Sequence, residues 1–224
     1  MREIFHNINR PVQLNVKEKK INNKVIISQN YLFWKIKRVF DIIFCLLLLP
    51  LFFCIIPAVF LLNLFYNKGP TFFVQKRMGK NCEPFHAIKF RTMRDIGVIN
   101  RNYLDPIEVD RITKFGGTLR KIRLDELPQI INVIKGDMSL IGPRPDYYDH
   151  ALSFIDSIPN YSSRHIIRPG ISGLSQIRLG YAEGLEATKK KSKVDIFYIE
   201  NANFYLDLKI FIGTLVTVFM GLGS

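Results

Sequence analysis

An uncharged apolar run from Ile42 to Leu62 constrains the fold of this 224-residue chain more than any other feature. As a straight helix, a run of about 21 residues would reach roughly 30 Å and could cross a bilayer. Pro50 lies near its middle and Pro57 follows, and an internal proline removes a helix hydrogen bond and bends the axis. Since the run has no polar face, the buried core helix of a soluble protein is the less favoured interpretation.

Both flanks of the run are basic, with Lys35, Lys37 and Arg38 before it and Lys68, Lys76 and Arg77 after it. Because basic flanks prefer the cytoplasmic side, a straight span would place one cluster outside, whereas a helix bent at Pro50 can enter one leaflet and return. We therefore predict a re-entrant helix-break-helix over residues 35–67, with a straight transmembrane helix as the alternative. Asp41, at the start of the run, is interpreted as an interfacial charge paired with Lys37 or Arg38. The predicted anchor residues are Lys37, Arg38, Asp41 and Pro50.

The chain is strongly basic, with a formal net charge of +13 alongside 48% hydrophobic residues. This balance excludes a disordered basic tail and predicts an anionic surface as partner, either nucleic acid or the phospholipid headgroups of a cytoplasmic leaflet. The three cysteines imply no disulfide framework, and the four scattered histidines form no zinc motif. We expect one folded unit after a polar, basic lead over residues 1–34.

Two extended segments follow the apolar run. Thr71 to Arg77 is rich in Phe and Val, and Pro84 to Met93 alternates between two faces, as strands do. Because a polar loop over residues 78–83 joins them, we predict a β-hairpin. Lys89 and Arg91 would project from one face and could grip an anion. A solvated strand face explains the same pattern.

The stretch from Leu119 to Pro145 holds most of the candidate chemistry. Asp125 and Glu126 follow a cationic run, and apolar residues come after them at helical spacing, namely Leu127, Ile130, Ile131 and Ile134. This pattern predicts a helix that has Asp125 as its N-cap and ends at Gly136. The two carboxylates would then lie at the positive end of the helix dipole, where phosphate binds readily.

The two carboxylates would point about 100° apart on a helix, so we do not expect them to share one proton. One could attack phosphorus as a nucleophile and form an acyl phosphate, while the other assists proton transfer or metal binding. Carboxylates beside phosphates normally recruit Mg²⁺ through oxygen ligands. For an isolated Asp-Glu pair, a helix cap that offsets the preceding arginines would be the favoured interpretation. The residues alone leave the two roles open.

Arg144 stands between Pro143 and Pro145. Proline fixes its own φ and pushes the preceding residue towards extended geometry, so Arg144 is held on stiff backbone. Its guanidinium is therefore suited to a bidentate grip on a diphosphate. A plain rigid turn is the competing interpretation.

The remaining segments predict helices and one loop. Residues 94–110 are polar and aperiodic, which indicates a loop or short helix. Residues 149–168 are expected to be helical with a break at Pro159. Ile210 to Leu222 is apolar but too short to span comfortably, so we predict an interfacial or core helix. A basic run would form a solvated face or a leaflet contact, and its members are Lys189, Lys190, Lys191 and Lys193.

These elements together predict an α+β fold that is mainly helical. A small β-hairpin would pack on helices, with a proline-broken re-entrant membrane helix near the N-terminus and further interfacial helices. Residues 68–224 would form the cytosolic catalytic domain.

The ordered motifs resemble those of the monotopic phosphoglycosyl transferases, the bacterial sugar transferases that start polysaccharide and glycoprotein glycan assembly. They cover most of the chain: KRVFD at 37–41, Gly69-Pro70 with Phe73, QKRMG at 75–79, KFRTM at 89–93, LRKIRLDELPQ at 119–129, NVIKGDMSLIGPRP at 132–145, RPGISG at 168–173 and DLK at 207–209. The resemblance is to the minimal form, without the multi-helix membrane domain of larger members. The chain departs from similar proteins at Leu174-Ser175-Gln176, where they often carry Trp-Ala-Gln.

The resemblance implies transfer of a sugar 1-phosphate from a UDP-sugar to undecaprenyl or another polyprenyl phosphate, with release of UMP. It also implies Mg²⁺ and a two-step mechanism in which Asp125 becomes covalently phosphoglycosylated. Glu126 would assist in metal or proton handling, and both carboxylates are implied metal ligands. The same resemblance makes six residues candidates for phosphate or nucleotide contacts: Lys89, Arg91, Arg120, Arg144, Arg168 and Gln176.

The expected partners are a UDP-sugar donor, a polyprenyl phosphate acceptor and membrane phospholipids, without nucleic acid and with a homo-oligomer left open. The expected location is the cytoplasmic face of a bacterial inner membrane. Two other classes compete with an enzyme. A nucleic-acid-binding protein would also be basic and could stack bases beside Lys89, Phe90 and Arg91. A noncatalytic membrane scaffold would use Asp125 and Glu126 only to cap a helix.

Overall fold

The structure, a computed structural model, describes residues 31–67, 69–94, 108–180 and 184–221. The predicted N-terminal lead up to residue 30, the basic residue Lys68 and residues 95–107 of the predicted loop lie outside these ranges. The described residues confirm a mainly helical α+β fold with two small sheets.

One long helix, α1 (Tyr31–Tyr66), opens the described chain and contains both Pro50 and Pro57 among its 36 residues. Its length and composition would let it cross a membrane, and only 17% of its most apolar stretch is buried inside the protein. α1 is therefore not a buried core helix. Helical geometry continues through both prolines, so no break in secondary structure accompanies them. The re-entrant course within a membrane stays a prediction.

One narrow face of α1 docks onto the rest of the protein. The buried residues of the helix recur every four or seven positions, which places them on one stripe, and they are Lys37, Asp41, Cys45, Phe52, Val59 and Asn63. Cys45, Phe52 and Val59 join the main apolar core. Leu47 and Phe65, on other faces, are 72% and 78% exposed, so α1 presents a largely apolar surface to its surroundings.

The predicted β-hairpin is confirmed. Strand β1 (Phe72–Met78) pairs antiparallel with β2 (Pro84–Phe90), and a short 3-10 turn over Lys80–Cys82 lies in the connection. Phe85, Ala87 and Phe90 of β2 are buried in the same core as α1. The hairpin is thus packed on helices and holds Lys89, near its end, at the edge of the core.

The central segment differs from the predicted single helix. Helix α2 (Lys114–Lys121) is followed by Arg123 in the left-handed conformation with φ 54°, then by a 3-10 turn over Leu124–Glu126. Helix α3 (Gln129–Lys135) begins only after Pro128, which is its N-cap. The prediction that Asp125 caps this helix is wrong, because Asp125 lies inside the 3-10 turn and α3 starts only after Pro128, which has no N–H to donate. The predicted C-terminal stop at Gly136, with φ 99°, is confirmed.

A second, parallel pair of very short strands was not predicted. It joins β3 (Ser139–Ile141) to β4 (Gly170–Ser172). A Cβ on Gly170 would lie 2.1 Å from the main-chain nitrogen of Gly142, so only glycine allows the two segments this close. The approach fixes the start of the GPRP segment, at Gly142, against the end of the RPG segment, at Gly170.

The C-terminal part is helical. Helix α4 (Tyr148–Ser157) ends before Pro159, as predicted, and a 3-10 turn over Tyr161–His165 follows it. The remaining helices are α5 (Leu174–Leu179), α6 (Gly184–Glu200) and α7 (Phe204–Phe219). α7 begins before the predicted Ile210, buries Ile210 in a second core cluster and leaves Phe204 and Phe219 exposed.

The predicted basic run on α6 does not form one solvated face. Lys190 and Lys193 are exposed, but Lys191 is largely buried and its Nζ forms an ion pair with Asp146. The prediction is wrong for Lys191, because a buried carboxylate without a cation is costly and Asp146 draws this lysine inward.

Candidate active site

The carboxylate pair, Asp125 and Glu126, is buried in the turn between α2 and α3, with 7% and 5% of each residue exposed. The left-handed Arg123 directly precedes this turn. Burying two adjacent carboxylates is unfavourable unless cations compensate them. The surrounding residues supply those cations, and they do so unequally.

Glu126 is surrounded by positive charge from three segments. Arg144 donates from Nη1 to Oε2 at 3.2 Å and from Nη2 to Oε1, which makes a bidentate pair. Lys89 of β2 donates to Oε1 at 2.7 Å, and Arg123 Nη1 lies 3.8 Å from Oε2. Burial alone would raise the pKa of Glu126, but Arg144 and Lys89 outweigh it and hold this pKa well below its usual value. Glu126 is therefore ionised, and both of its oxygens accept hydrogen bonds.

Asp125 has the opposite environment. Within the described residues, its carboxylate takes part in no hydrogen bond or ion pair. Burial raises the pKa of Asp125, Lys89 opposes this rise and the neighbouring charge of Glu126 adds to it. A pair of titratable groups whose pKa values are driven apart is typical of a division of chemical roles. The more basic carboxylate, with free oxygens, is the better nucleophile of the two.

The structure brings some of the six predicted contact residues to the carboxylate pair and places others elsewhere. Lys89 and Arg144 bind Glu126 directly. Arg120 donates from Nε to Thr92 Oγ1 at 2.9 Å, and its charge lowers the pKa of Asp125. These three cations converge on the site.

The other three predicted contact residues have different surroundings. Arg91 donates from Nε to the carbonyl oxygen of Pro70 at 2.9 Å. Arg168 donates from Nε to the carbonyl oxygen of Gly136 at 2.7 Å, beyond the far end of α3. Gln176 lies on α5, and its Oε1 is buried without a hydrogen-bond partner in the described part of the chain. A substrate role for these residues stays a prediction.

Two residues that position the site were not singled out from the sequence. Arg123 was seen only as part of a cationic run, and nothing in its surroundings in the sequence indicates a left-handed arginine beside Glu126. Asn132 of α3 donates to the carbonyl oxygen of His86 at 2.7 Å and accepts from the N–H of Ile88 at 3.0 Å. This side chain ties α3 to β2 and thereby fixes Lys89 relative to Glu126.

A buried charge cluster supports the backbone of Arg144. Arg164 is 1% exposed, and its Nη2 donates to Asp195 Oδ2 at 2.6 Å and to the carbonyl oxygen of Arg144 at 2.8 Å. Its Nη1 binds Asp146, which also accepts from Tyr161 Oη at 2.6 Å. This network binds the backbone of the GPRP segment through the carbonyl oxygen of Arg144. The sequence did not predict it.

The predicted anchor residues dock α1 rather than pairing among themselves. Lys37 Nζ lies 2.6 Å from Asp207 Oδ2 on α7. Arg38 donates to the carbonyl oxygens of Ile134 and Met138. Asp41 accepts from Ser139 Oγ at 2.6 Å and from the N–H of Leu140. The predicted pairing of Asp41 with Lys37 or Arg38 is wrong, because Asp41 faces donors of β3 that would otherwise be buried without acceptors. Pro50 is exposed on α1.

The described residues of the site would supply only some of the ligands of a metal ion. Among the described residues no group of three or more His, Cys, Asp or Glu side chains could hold an ion. Mg²⁺ is usually bound by one or two carboxylates together with substrate phosphates. Asp125, with free oxygens, fits such a shared site. Glu126 fits it less well, since both of its oxygens already accept from Arg144.

The comparison with known proteins agrees with this geometry. The family described as bacterial sugar transferase matches residues 32–221. These residues include α1, the hairpin, the carboxylate pair and α7. The chain belongs to the bacterial sugar transferase family.

Curated relatives carry names from the same chemistry. The chain is 40% identical, over 84% of its length, to the UDP-N-acetylgalactosamine-undecaprenyl-phosphate N-acetylgalactosaminephosphotransferase of Aeromonas hydrophila, but spans only 45% of that protein. It is 37% identical to the UDP-glucose:undecaprenyl-phosphate glucose-1-phosphate transferase of Caulobacter vibrioides, over 80% of this chain and 68% of the relative. It is 39% identical to the uncharacterized sugar transferase EpsL of Bacillus subtilis, over 84% and 89% of the two chains.

Proposed function

We propose that this protein is a membrane-bound phosphotransferase that moves a sugar 1-phosphate from a UDP-sugar to undecaprenyl or another polyprenyl phosphate and releases UMP. The observation that carries the proposal is the unequal carboxylate pair. Glu126 is bound by cations, whereas the buried carboxylate of Asp125 has no hydrogen bond or ion pair within the described residues. The names of two relatives supply the classes of donor and acceptor. The reaction would begin the assembly of a polysaccharide or of a glycoprotein glycan.

In the first step, a carboxylate oxygen of Asp125 attacks the phosphorus that carries the sugar. A bond forms between this oxygen and phosphorus, and the bond from phosphorus to the bridging oxygen of the diphosphate breaks. The electron pair leaves with UMP, and an aspartyl-phosphosugar remains. The raised pKa of Asp125 supports this role, because a more basic carboxylate is a stronger nucleophile.

In the second step, an oxygen of the polyprenyl phosphate attacks the same phosphorus. The bond between phosphorus and the Asp125 oxygen breaks, and its electron pair returns to the carboxylate. The product is a polyprenyl diphosphate sugar, and the protein is restored. Both attacking oxygens are already anionic, so neither step requires the removal of a proton.

The cations around the pair would stabilise charge on the transferring group. Arg144, Lys89 and Arg120 lie on different segments around the two carboxylates. Preorganised cations of this kind stabilise the developing charge of a phosphoryl transition state. Glu126 keeps Arg144 and Lys89 oriented towards the site before substrate binds.

We also propose Mg²⁺ as cofactor, shared between Asp125 and substrate phosphate oxygens. Bound there, it would neutralise negative charge on the diphosphate. α1, with its exposed apolar faces, would hold the site at the cytoplasmic side of the inner membrane, where a soluble nucleotide sugar meets a lipid phosphate.

The deciding experiment measures UMP release from UDP-sugars in membranes with Mg²⁺. Asp125→Asn should lower the rate by at least about a thousandfold, since the nucleophile is removed. Asp156→Asn, a change at an exposed carboxylate of α4, should leave the rate unchanged. Equal turnover in Asp125→Asn and the unaltered protein would remove Asp125 as nucleophile.

The covalent step has its own test. Without acceptor lipid, the protein should release about one UMP per molecule in a burst and retain the sugar phosphate label. Asp125→Asn should show neither. Turnover with acceptor but no burst without it would indicate direct transfer in a ternary complex.

The two other function classes predict different results. A noncatalytic scaffold would show no turnover with any member of a UDP-sugar panel, and the same panel identifies the sugar if turnover occurs. A nucleic-acid-binding protein would bind RNA without detergent, with an affinity that falls steeply with salt.

A further inference from the structure

A small cavity of about 80 Å³ lies where the N-terminal part of α1 meets β3 and the segment before β4. Its walls include Trp34, Arg38 and Asp41 of α1, Ser139 of β3, and also Lys80 and Arg168. None of the residues that contact Glu126 lines it. The cavity is therefore a site separate from the carboxylate pair.

Within the described residues, three cations at this cavity form no ion pair with a carboxylate. In the described part of the chain, Arg38 donates to the main-chain carbonyl oxygens of residues 134 and 138, and Arg168 to that of Gly136. Lys80 is exposed on the 3-10 turn of the hairpin, and its Nζ takes part in no hydrogen bond or ion pair within the described residues. The one lining carboxylate, Asp41, is already occupied by Ser139 and Leu140.

The indole of Trp34 adds an unsatisfied donor. Its Nε1 is buried and has no acceptor in the described part of the chain. A buried indole N–H normally finds an acceptor. The groups that remain available to a ligand are all hydrogen-bond donors. They are the indole N–H of Trp34 and N–H groups of Arg38, Arg168 and Lys80. A ligand that satisfies these donors would have to supply several acceptor oxygens and negative charge.

We propose that this cavity binds a phosphate group that is not the reacting one. A phosphate offers several anionic oxygens to the donors that line this cavity from separate segments. Tryptophan and basic residues near the start of an apolar helix are typical of the level of lipid headgroups. Two sources share this chemistry, a phospholipid headgroup and free phosphate. The proposal goes beyond the transfer reaction and does not depend on it.

Trp34 provides a direct readout, because it is the single tryptophan of the chain. The full-length protein in a non-ionic detergent is titrated with inorganic phosphate and, separately, with dihexanoyl phosphatidylglycerol below its micelle concentration. Either ligand should change the fluorescence of Trp34 in a saturable way. No nucleotide sugar is present and no turnover is needed, so failure of the proposed transferase function would leave this result readable.

The variants test the cations. Lys80→Gln removes an exposed charge with little risk to the fold and should weaken phosphate binding about tenfold. Arg168→Gln should weaken it at least as much, and Arg168→Lys, which keeps the charge, should recover part of the loss. Lys190→Gln, at an exposed lysine of α6, is the matched control and should leave binding unchanged.

The outcomes separate the sources and decide the proposal. Saturation by the lipid at a lower concentration than by inorganic phosphate identifies a headgroup as the ligand, and the reverse identifies free phosphate. The proposal is overturned if Trp34 responds to neither ligand, or if Lys80→Gln and Arg168→Gln both bind as the unaltered protein does.

Discussion

Asp125 and Glu126 are neighbours in the chain, yet their surroundings drive their pKa values in opposite directions. The difference comes from where the cations are placed. Arg144 and Lys89 reach the oxygens of Glu126, whereas they act on Asp125 only across space. Glu126 therefore orients the cations, whereas the oxygens of Asp125 remain free to react with a substrate.

The pH dependence of transfer tests this arrangement. In the proposed mechanism Asp125 must be ionised to attack, so activity should fall as the pH drops through its pKa, which lies above the ordinary value of 3.8. Lys89→Gln removes the charge that most lowers this pKa, so the acid limb should move to higher pH. Glu126→Gln removes the carboxylate that raises it, so the limb should move to lower pH. The measurement is kcat/KM against pH, and shifts of the same sign in both variants would contradict the assignment.

The sequence predicted the local backbone of single residues better than their contact partners, because those partners lie far away in the chain. The stiff backbone around Arg144 was predictable, because prolines restrict their neighbours locally. The partner of Lys89 was not, since Glu126 lies 37 positions away. Arg168 was proposed as a phosphate contact, and its bond to the carbonyl of Gly136 depends on how α3 ends in space.

At the scale of elements, the approach of α2 to residue 92 shapes one wall of the site. Gly116 of α2 lies so close that a Cβ there would stand 2.0 Å from the carbonyl oxygen of Thr92. The same contact brings Arg120 to Thr92 Oγ1. The adjacent Gly117 has room, because its Cβ would meet only Ile112 Cγ2 at 3.8 Å.

This difference predicts opposite effects of two neighbouring substitutions. Gly116→Ala should displace main chain and lower the free energy of unfolding by about 1–3 kcal/mol, with reduced transfer because Arg120 moves. Gly117→Ala should raise it by about 0.5–1 kcal/mol, since alanine is the better helix former. Thermal unfolding in detergent, with UMP release on the same samples, provides the measurement. Equal destabilisation by both changes would mean that α2 does not depend on the close contact.

The course of α1 in a membrane gives a second prediction at this scale. Cysteines introduced at positions 30 and 68 flank the helix and should both be labelled only from the cytoplasmic side, because both flanks are basic. The experiment uses an impermeant thiol reagent on intact cells and on inverted vesicles, in a background without the native cysteines. Labelling of one position from outside would establish a straight span.

Elements with a local signal were predicted correctly, and those without one were missed. Alternation of side chains predicted the hairpin, and Gly136 predicted the end of α3. The pairing of β3 with β4 was missed, because each strand has only three residues and their contact depends on Gly142 meeting Gly170. The 3-10 turn that carries the pair was read as a helix start, since the left-handed Arg123 has no sequence signature.

The whole molecule is stabilised by buried charge clusters that connect distant segments. Arg164 joins Asp195 of α6 to Asp146 and to the backbone of Arg144. Burial and the adjacent Arg164 lower the pKa of His165 to about 3, so this residue is buried in its neutral form. Burial opposes ionisation of Asp146, but Arg164 and Lys191 hold its pKa well below the usual value.

These shifts predict how stability depends on pH. His165 titrates near 6.5 when unfolded and near 3 when folded, so below pH 6.5 the unfolded state binds an extra proton. The free energy of unfolding should fall by about 2 kcal/mol between pH 8 and pH 5 from this residue alone. Asp146, whose ordinary value is 3.8, begins to contribute only at lower pH.

Replacement of His165 measures how much of this pH dependence of stability comes from this residue. His165→Asn should flatten stability between pH 5 and pH 6.5, whereas His86→Asn, at an exposed residue of β2, should not. Chemical unfolding followed across this pH range decides between them. A slope that persists in His165→Asn would assign the acid sensitivity to another group.

The class of fold was predictable from the sequence because periodicity and turn residues are local. The long-range charge clusters were not, since Arg164, Asp146 and Asp195 lie in segments that no pattern connects. The same holds for the docking of α1, where Lys37, Arg38 and Asp41 each bind a partner about a hundred positions or more away.

The pair of Lys37 with Asp207 sets an order of events during biosynthesis. The two residues are 170 positions apart in the chain, which a ribosome adding 5–20 residues per second covers in roughly 10–30 s. α1 therefore leaves the ribosome long before its partner on α7 has been made. During this interval water or lipid must solvate Lys37. The contact that joins the two ends of the described chain can therefore form only after α7 has been synthesised.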